Sequence, residues 1–144
     1  MQSPLQLISR KFIDIELHPQ ERQDGPNGFR MTHMIAVDQN TEEPTHWKAK
    51  VGVKIENKEG DNPASYVGEI TVGGSFVLSE KFPADKAEAM VSLNAGAILY
   101  GAIRELVISL TSQSVHGEFI LPTLDARTFL PSTEEKEEKS EAPS

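Results

Sequence analysis

The side chains that could do covalent or metal chemistry are few in this chain and poorly spaced for it. Four histidines, His18, His33, His46 and His116, fall in four separate segments. No pair has the His-x-x-x-His or Glu-x-x-His spacing that sets two ligands on one helix face. There is no cysteine, which removes thiolate metal sites, a cysteine nucleophile and disulfides together. A Gly-x-Ser-x-Gly elbow, a Gly-x-x-x-x-Gly-Lys phosphate loop and a dinucleotide fingerprint are all missing, and Gly73-Gly74 has neither a third glycine nor a helix start behind it. His33 sits in a row of apolar residues and reads as a packed histidine. Asp125, two residues before Arg127, reads as a local cap rather than an acid–base pair. These residues predict a protein that is not an enzyme and carries no metal or cofactor, so its work is expected to lie in its surfaces.

The surfaces are acidic. With 22 acidic residues against 14 basic ones, the net charge of −8 disfavours a nucleic-acid partner, whose binding would rest on neutralising phosphates, and favours basic ones. Part of the charge is local: Glu134, Glu135, Glu137, Glu138 and Glu141 stand against Lys136 and Lys139. Residues 1–131 are therefore expected to form one folded domain and 132–144 an acidic disordered tail. No run approaches the roughly 18 uncharged apolar residues of a membrane span, and MQSPLQLISRKF has no signal-peptide core. A cytoplasmic location without membrane insertion is the expectation, and the missing cysteines suit a reducing compartment.

Alternation supplies the elements that must position those surfaces. Trp47, Ala49, Val51, Val53 and Ile55 alternate with Lys48, Lys50, Gly52, Lys54 and Glu56, a pattern only a half-buried strand satisfies. Phe29, Met31, His33, Ile35 and Val37 form a second such row. Tyr66, Ile70, Val72, Phe76 and Leu78 form another, in which Gly73-Gly74 suggests a bulge or bend. Leu5, Leu7, Ile13, Ile15 and Leu17 form the first strand, with Ile8 and Phe12 as exceptions. Connections of roughly six to ten residues imply antiparallel neighbours, since parallel ones need a dozen or more. After Pro83 an irregular or helical link leads to Asn94, a plausible N-cap, and Leu99, Ile103, Leu106 and Leu110 then repeat at helical spacing. The predicted class is α+β: a four-stranded antiparallel meander followed by one long helix.

One helix is a small cover for four strands, so apolar surface is left over and an oligomer is expected. The back of the helix, with Ile98, Ala102 and Val107, is the expected subunit contact. Ala95, Gly96, Ala97, Gly101 and Ala102 make a smooth patch there, where another helix or the chain's own sheet could come close.

The element order and two blocks of residues resemble the SecB family of bacterial export chaperones. One block is YVGEITVGGSF at residues 66–76, a strand ending in Gly-Gly-Ser-Phe; the other is the helical ILYGAIRELVISL at 98–110, where Gly101 replaces a usual proline. The likeness spans roughly Leu5 to Leu124. It implies a dimeric or tetrameric chaperone that works without nucleotide and holds unfolded or precursor polypeptides in an apolar groove beside the helix, keeping them export- or folding-competent. In the family an acidic residue of the matching strand contacts the ATPase motor of the export machinery, and that position is Glu69. Asp14, in RKFIDIEL, matches a second motor contact, while His18 stands where an acid is usual. Parity puts Asp14 and Glu69 on the solvated face, which Lys48, Lys50 and Lys54 share.

If a groove exists, its expected lining is Met31, Ile35 and Val37 with Phe119, Leu121 and Leu124, and the expected subunit contact is Ile98, Gly101, Ala102 and Val107. The family roofs its groove with a second helix; here LDARTFL meets Pro131 after less than two turns, so the lid is short or missing. The competing expectation keeps the fold and narrows the task to one dedicated protein partner, such as an antitoxin or a mobile-element protein, with no motor contact. A small-ligand carrier would need a closed barrel, for which four strands are too few.

Overall fold

Lysine-flanked alternation makes His46–Asn57 (β3) a strand with one dry face: Trp47, Ala49, Val51, Val53 and Ile55 are buried, and Lys48, Lys50 and Lys54 are exposed. In this computed structural model, which describes residues 1–131 and 136–141, β3 is central. Gly28–Gln39 (β2) pairs on one side of it with His33 opposite Val53, and Tyr66–Leu78 (β4) on the other with Val72 opposite Val51. Leu5–Pro19 (β1) lies beyond β4. All pairs are antiparallel.

The four-stranded antiparallel sheet is as expected, and β2, β3 and β4 are consecutive neighbours. The meander stops there, because β1 pairs with β4 and the order is β1-β4-β3-β2, a Greek-key arrangement. Loop length misleads at this point. Residues 20–27 can span about 27 Å when extended, while three strand spacings amount to only about 14 Å. The crossing is tied down where it passes the β3–β4 connection: Gln20 N donates to Ser65 O at 2.9 Å, and Asn27 bridges to Asn62.

The irregularity expected at Gly73-Gly74 lies instead in β1. Register shifts between Leu7 and Ser9 and between Phe12 and Asp14 leave Ile8 and Ile13 as the extra residues of two β-bulges. Each bulge resets parity. Phe12 therefore stands opposite the buried Val72, and Ile13 reaches over the outer face beside Gly73. Gly74 has a different use: a Cβ there would lie 2.9 Å from the Phe76 ring and 3.1 Å from Leu99 Cδ2, so glycine lets the helix approach the sheet.

That helix is Ala87–Thr111 (α1), 25 residues and about 37 Å long. It begins two turns before Asn94, because AEAMVSL is rich in good helix formers, and Asn94 sits inside it, donating to Met90 O at 2.9 Å. Val91, Ala95, Leu99, Ile103 and Val107 form its fully buried stripe against the sheet. Burying each of the larger ones contributes roughly 1.5–3 kcal/mol. Leu106 is half-buried, and Leu110, expected on that stripe, is exposed. An 18-residue window within Ala84–Thr111 has a mean hydropathy of 1.4, long and apolar enough to cross a membrane by length and composition, although the helix carries Arg104 and Glu105. Half of that window is buried inside the protein, as in a core helix.

After α1 the chain returns across the helix and the β2 side of the sheet as an extended strap ending in a single 3-10 turn, Ala126–Phe129. Lys136–Glu141, inside the stretch expected to be a disordered tail, runs as a fifth strand (β5) antiparallel to β2. Residues 132–135 and 142–144 lie outside the described residues.

Candidate functional site

The strap is fastened to α1 by four helix side chains. Ser92 Oγ donates to Phe129 O, Tyr100 Oη to Pro122 O at 2.5 Å, and Arg104 Nε to Leu121 O at 3.2 Å, while Thr111 Oγ1 accepts from Phe119 N at 2.8 Å. These bonds satisfy backbone groups of a segment that has no ladder of its own. At its end Phe129 is 1% exposed and seats on Gly96, where a Cβ would stand 2.5 Å from Phe129 Cβ and Cγ. The rings of His33 and Tyr100 flank it at 5.7 and 5.8 Å.

This strap alters the expected groove. Met31, Phe119 and Leu121 belong to the sealed core, so three of the six expected lining residues present no surface. Ile35, Val37 and Leu124 remain half-buried along the β2 side. The aromatic plug made by Phe129 was missed in the sequence; its one signal was Gly96 in the middle of a helix, read there only as part of a smooth patch.

The expected subunit contact also divides. Ala102 and Val107 are buried within the chain, whereas Ile98 is exposed and Gly101 has open space where a Cβ would be. The larger apolar surplus lies on β1, whose Leu7, Ile8, Ile13 and Ile15 are all more than two-fifths exposed. Two of these are the bulge residues.

On the outer face of the sheet Asp14 and Glu69 do come together. Both line a depression of about 470 Å³ with Ile13, Met34, Lys50 and Lys54. Glu69 pairs with Glu16 on one side and Lys54 on the other. A neighbouring depression of about 560 Å³ holds Lys11, Lys48 and Lys50 above Ser9, Ser75 and Gly73. Both ends carry mixed charge: at the acidic end Asp14, Glu69 and the neighbouring Glu16 face Lys50 and Lys54, and at the lysine end the three lysines stand with Asp38.

Among the described residues no group of three or more histidine, aspartate or glutamate side chains is placed to hold a metal ion. His33 is packed against Phe129, His46 Nδ1 meets Glu43 Oε2 at 2.9 Å, and the His116 ring meets Gln20 O. Asp125 is the cap that its spacing predicted: its carboxylate accepts from Arg127 N at 2.9 Å and from the guanidinium at 2.6 Å. The Arg127 guanidinium, and after it the Arg127 backbone N–H, hold that carboxyl down to about 2.

No protein-family model matches the sequence, and no curated protein does. Among solved structures, the fold matches a SecB-like chaperone of Mycobacterium tuberculosis in complex with a ChAD peptide from an antitoxin. The TM-score is 0.63 at 15% identity, covering 84% of this chain and 91% of that one. The chain thus has the fold of a SecB-like chaperone, a four-stranded antiparallel sheet carrying one long helix.

Proposed function

We propose that this protein is a SecB-like chaperone that binds unfolded or precursor polypeptides by apolar burial, without nucleotide or catalysis, and keeps them export- or folding-competent. The observation that carries this is the row of exposed large apolar side chains on β1 and α1, Leu7, Ile8, Ile13, Ile15, Ile98 and Leu110, which the fold of one chain leaves uncovered. The fold is shared with a chaperone whose complex holds an antitoxin peptide, which supports a polypeptide as the ligand. Ile35, Val37 and Leu124 are the proposed client contacts. Assembly into a dimer or tetramer would cover Ile98, Gly101 and part of β1. Asp14 and Glu69 are the proposed docking point for a basic segment of an export motor. The proposed setting is cytoplasmic, with neither nucleic acid nor membrane insertion involved.

A denatured client diluted into buffer should aggregate less when this protein is present at stoichiometric ratio, as read by light scattering. Unchanged aggregation would reject the holding function.

A dedicated adaptor for one protein partner is the second reading. Two observations favour it: the strap that seals Met31, Phe119 and Leu121, and Lys54 standing opposite Glu69 where a motor contact would need free acid. A pull-down that returns one stoichiometric partner supports the adaptor, and one that returns many unrelated unfolded proteins supports the chaperone.

A further inference from the structure

One edge of the sheet already carries a guest strand. β5 pairs with β2 over six positions, from Gly28 opposite Glu141 to His33 opposite Lys136. Its sequence, KEEKSE, gives it little reason to be there. It contains no apolar residue, five of its six residues are charged, and lysine and glutamate are depleted in strands. What the β2 edge offers it is a row of backbone N–H and C=O groups, which pair with any extended chain whatever its side chains.

The guest covers only half of the edge. β2 continues through Met34–Gln39, and among the described residues no strand pairs with that half on the side away from β3. The first four residues of the uncovered half are apolar, ahead of Asp38 and Gln39: Met34 is exposed on the outer face, and Ile35 and Val37 are half-buried on the helix face. Alternating apolar side chains on both faces of an open edge are what an incoming strand with apolar residues at alternate positions would pack on.

We propose that the β2 edge accepts an extended, apolar, β-branched segment of another polypeptide as an added strand, and that β5 is a weak resident of the same edge which the incoming strand displaces. This rests on the polypeptide-binding reading above and deepens it by naming the edge and the class of segment bound. Over Gly28–His33 the two strands need the same backbone groups and so exclude each other. The tail competes well despite poor pairing because it is tethered, at an effective concentration in the millimolar range. The apparent affinity for the incoming segment is therefore lowered by the fraction of molecules in which the edge is occupied. A charged resident also keeps an open edge from pairing with copies of itself.

The test uses the full chain and a labelled, unstructured twelve-residue peptide rich in valine, threonine, isoleucine and tyrosine, with affinity read by fluorescence anisotropy. The double substitution Glu137→Pro and Glu138→Pro weakens β5, because alternate N–H groups face the partner and one of the two must lie in the ladder. It should tighten binding about fivefold or more. The opposite variant, Glu138→Ile with Ser140→Val, places strand formers opposite Met31 and Phe29 and should weaken binding by a similar factor. A version of the peptide N-methylated at alternate residues, blocking one edge, should lose its binding to the proline variant. Equal affinity of all three chains, or undiminished binding of the methylated peptide, overturns the edge proposal and leaves polypeptide binding standing. No binding to any chain overturns both. Dimerisation of the proline variant that the peptide cannot reverse assigns the edge to a second copy and overturns the occupant proposed here.

Discussion

Gly96 and Gly101 lie five residues apart in α1 and answer to opposite constraints. At Gly96 a Cβ would run into Phe129, a fully buried ring with no open space to retreat into; at Gly101 nothing lies within 4 Å. An alanine at either position gains about 1 kcal/mol of helix propensity. At Gly96 that gain is outweighed by overpacking, which costs roughly 1–3 kcal/mol and adds the loss of the plug's seating. Gly96→Ala is therefore expected to lower unfolding stability in urea by about 1–2 kcal/mol, while Gly101→Ala raises it by about 0.5–1 kcal/mol; the same sign for both would contradict the geometry. In the sequence these glycines look alike. What separates them is a phenylalanine more than 30 residues downstream, and no local pattern carries that contact. Asp125 was legible because its partner is two residues away, and His33 because its own strand surrounds it with apolar neighbours.

At the scale of elements, β3 was readable outright, since one strand with lysines on one face admits a single register. β1 was not, because two bulges reset its parity and turned Phe12, apparently an exception, into a core-facing residue while sending Ile8 and Ile13 outward. Bulges leave no composition signal of their own, and the only trace was a broken alternation. The start of α1 was displaced for a related reason: Asn94 suits a cap, but the helix formers before it carry the helix past that signal. If the bulged isoleucines serve contacts outside the chain, replacing them should leave the chain's own stability almost untouched. Ile8→Lys with Ile13→Lys is expected to shift unfolding stability by no more than about 0.5 kcal/mol per site, as for exposed positions generally. The same variant should lose a large part of its capacity to hold a denatured client, read by light scattering, or of its solution mass if β1 is a subunit contact. A variant that is strongly destabilised instead would mean that β1's isoleucines support the fold itself.

For the whole molecule, two forces compete to define what binds. The net charge of −8 and the acidic end of the outer face would draw basic segments through electrostatics, which salt screens within about 10 Å at 0.1 M. The apolar surplus on β1, α1 and the free half of β2 would draw hydrophobic segments by burial, which moderate salt does not weaken and sulfate strengthens. The lysines at the other end of the outer face, and Lys54 opposite Glu69, reduce the reach of the acids. Burial is therefore the stronger term for an unfolded client. Calorimetric titration of a denatured client is expected to give a negative heat-capacity change, the robust marker of apolar burial. The affinity should change less than threefold between 0.1 and 1 M sodium chloride. A loss of tenfold or more over that range would move the principal contact to Asp14, Glu16 and Glu69, and would make the acidic end of the sheet, rather than its edges, the place where partners are chosen.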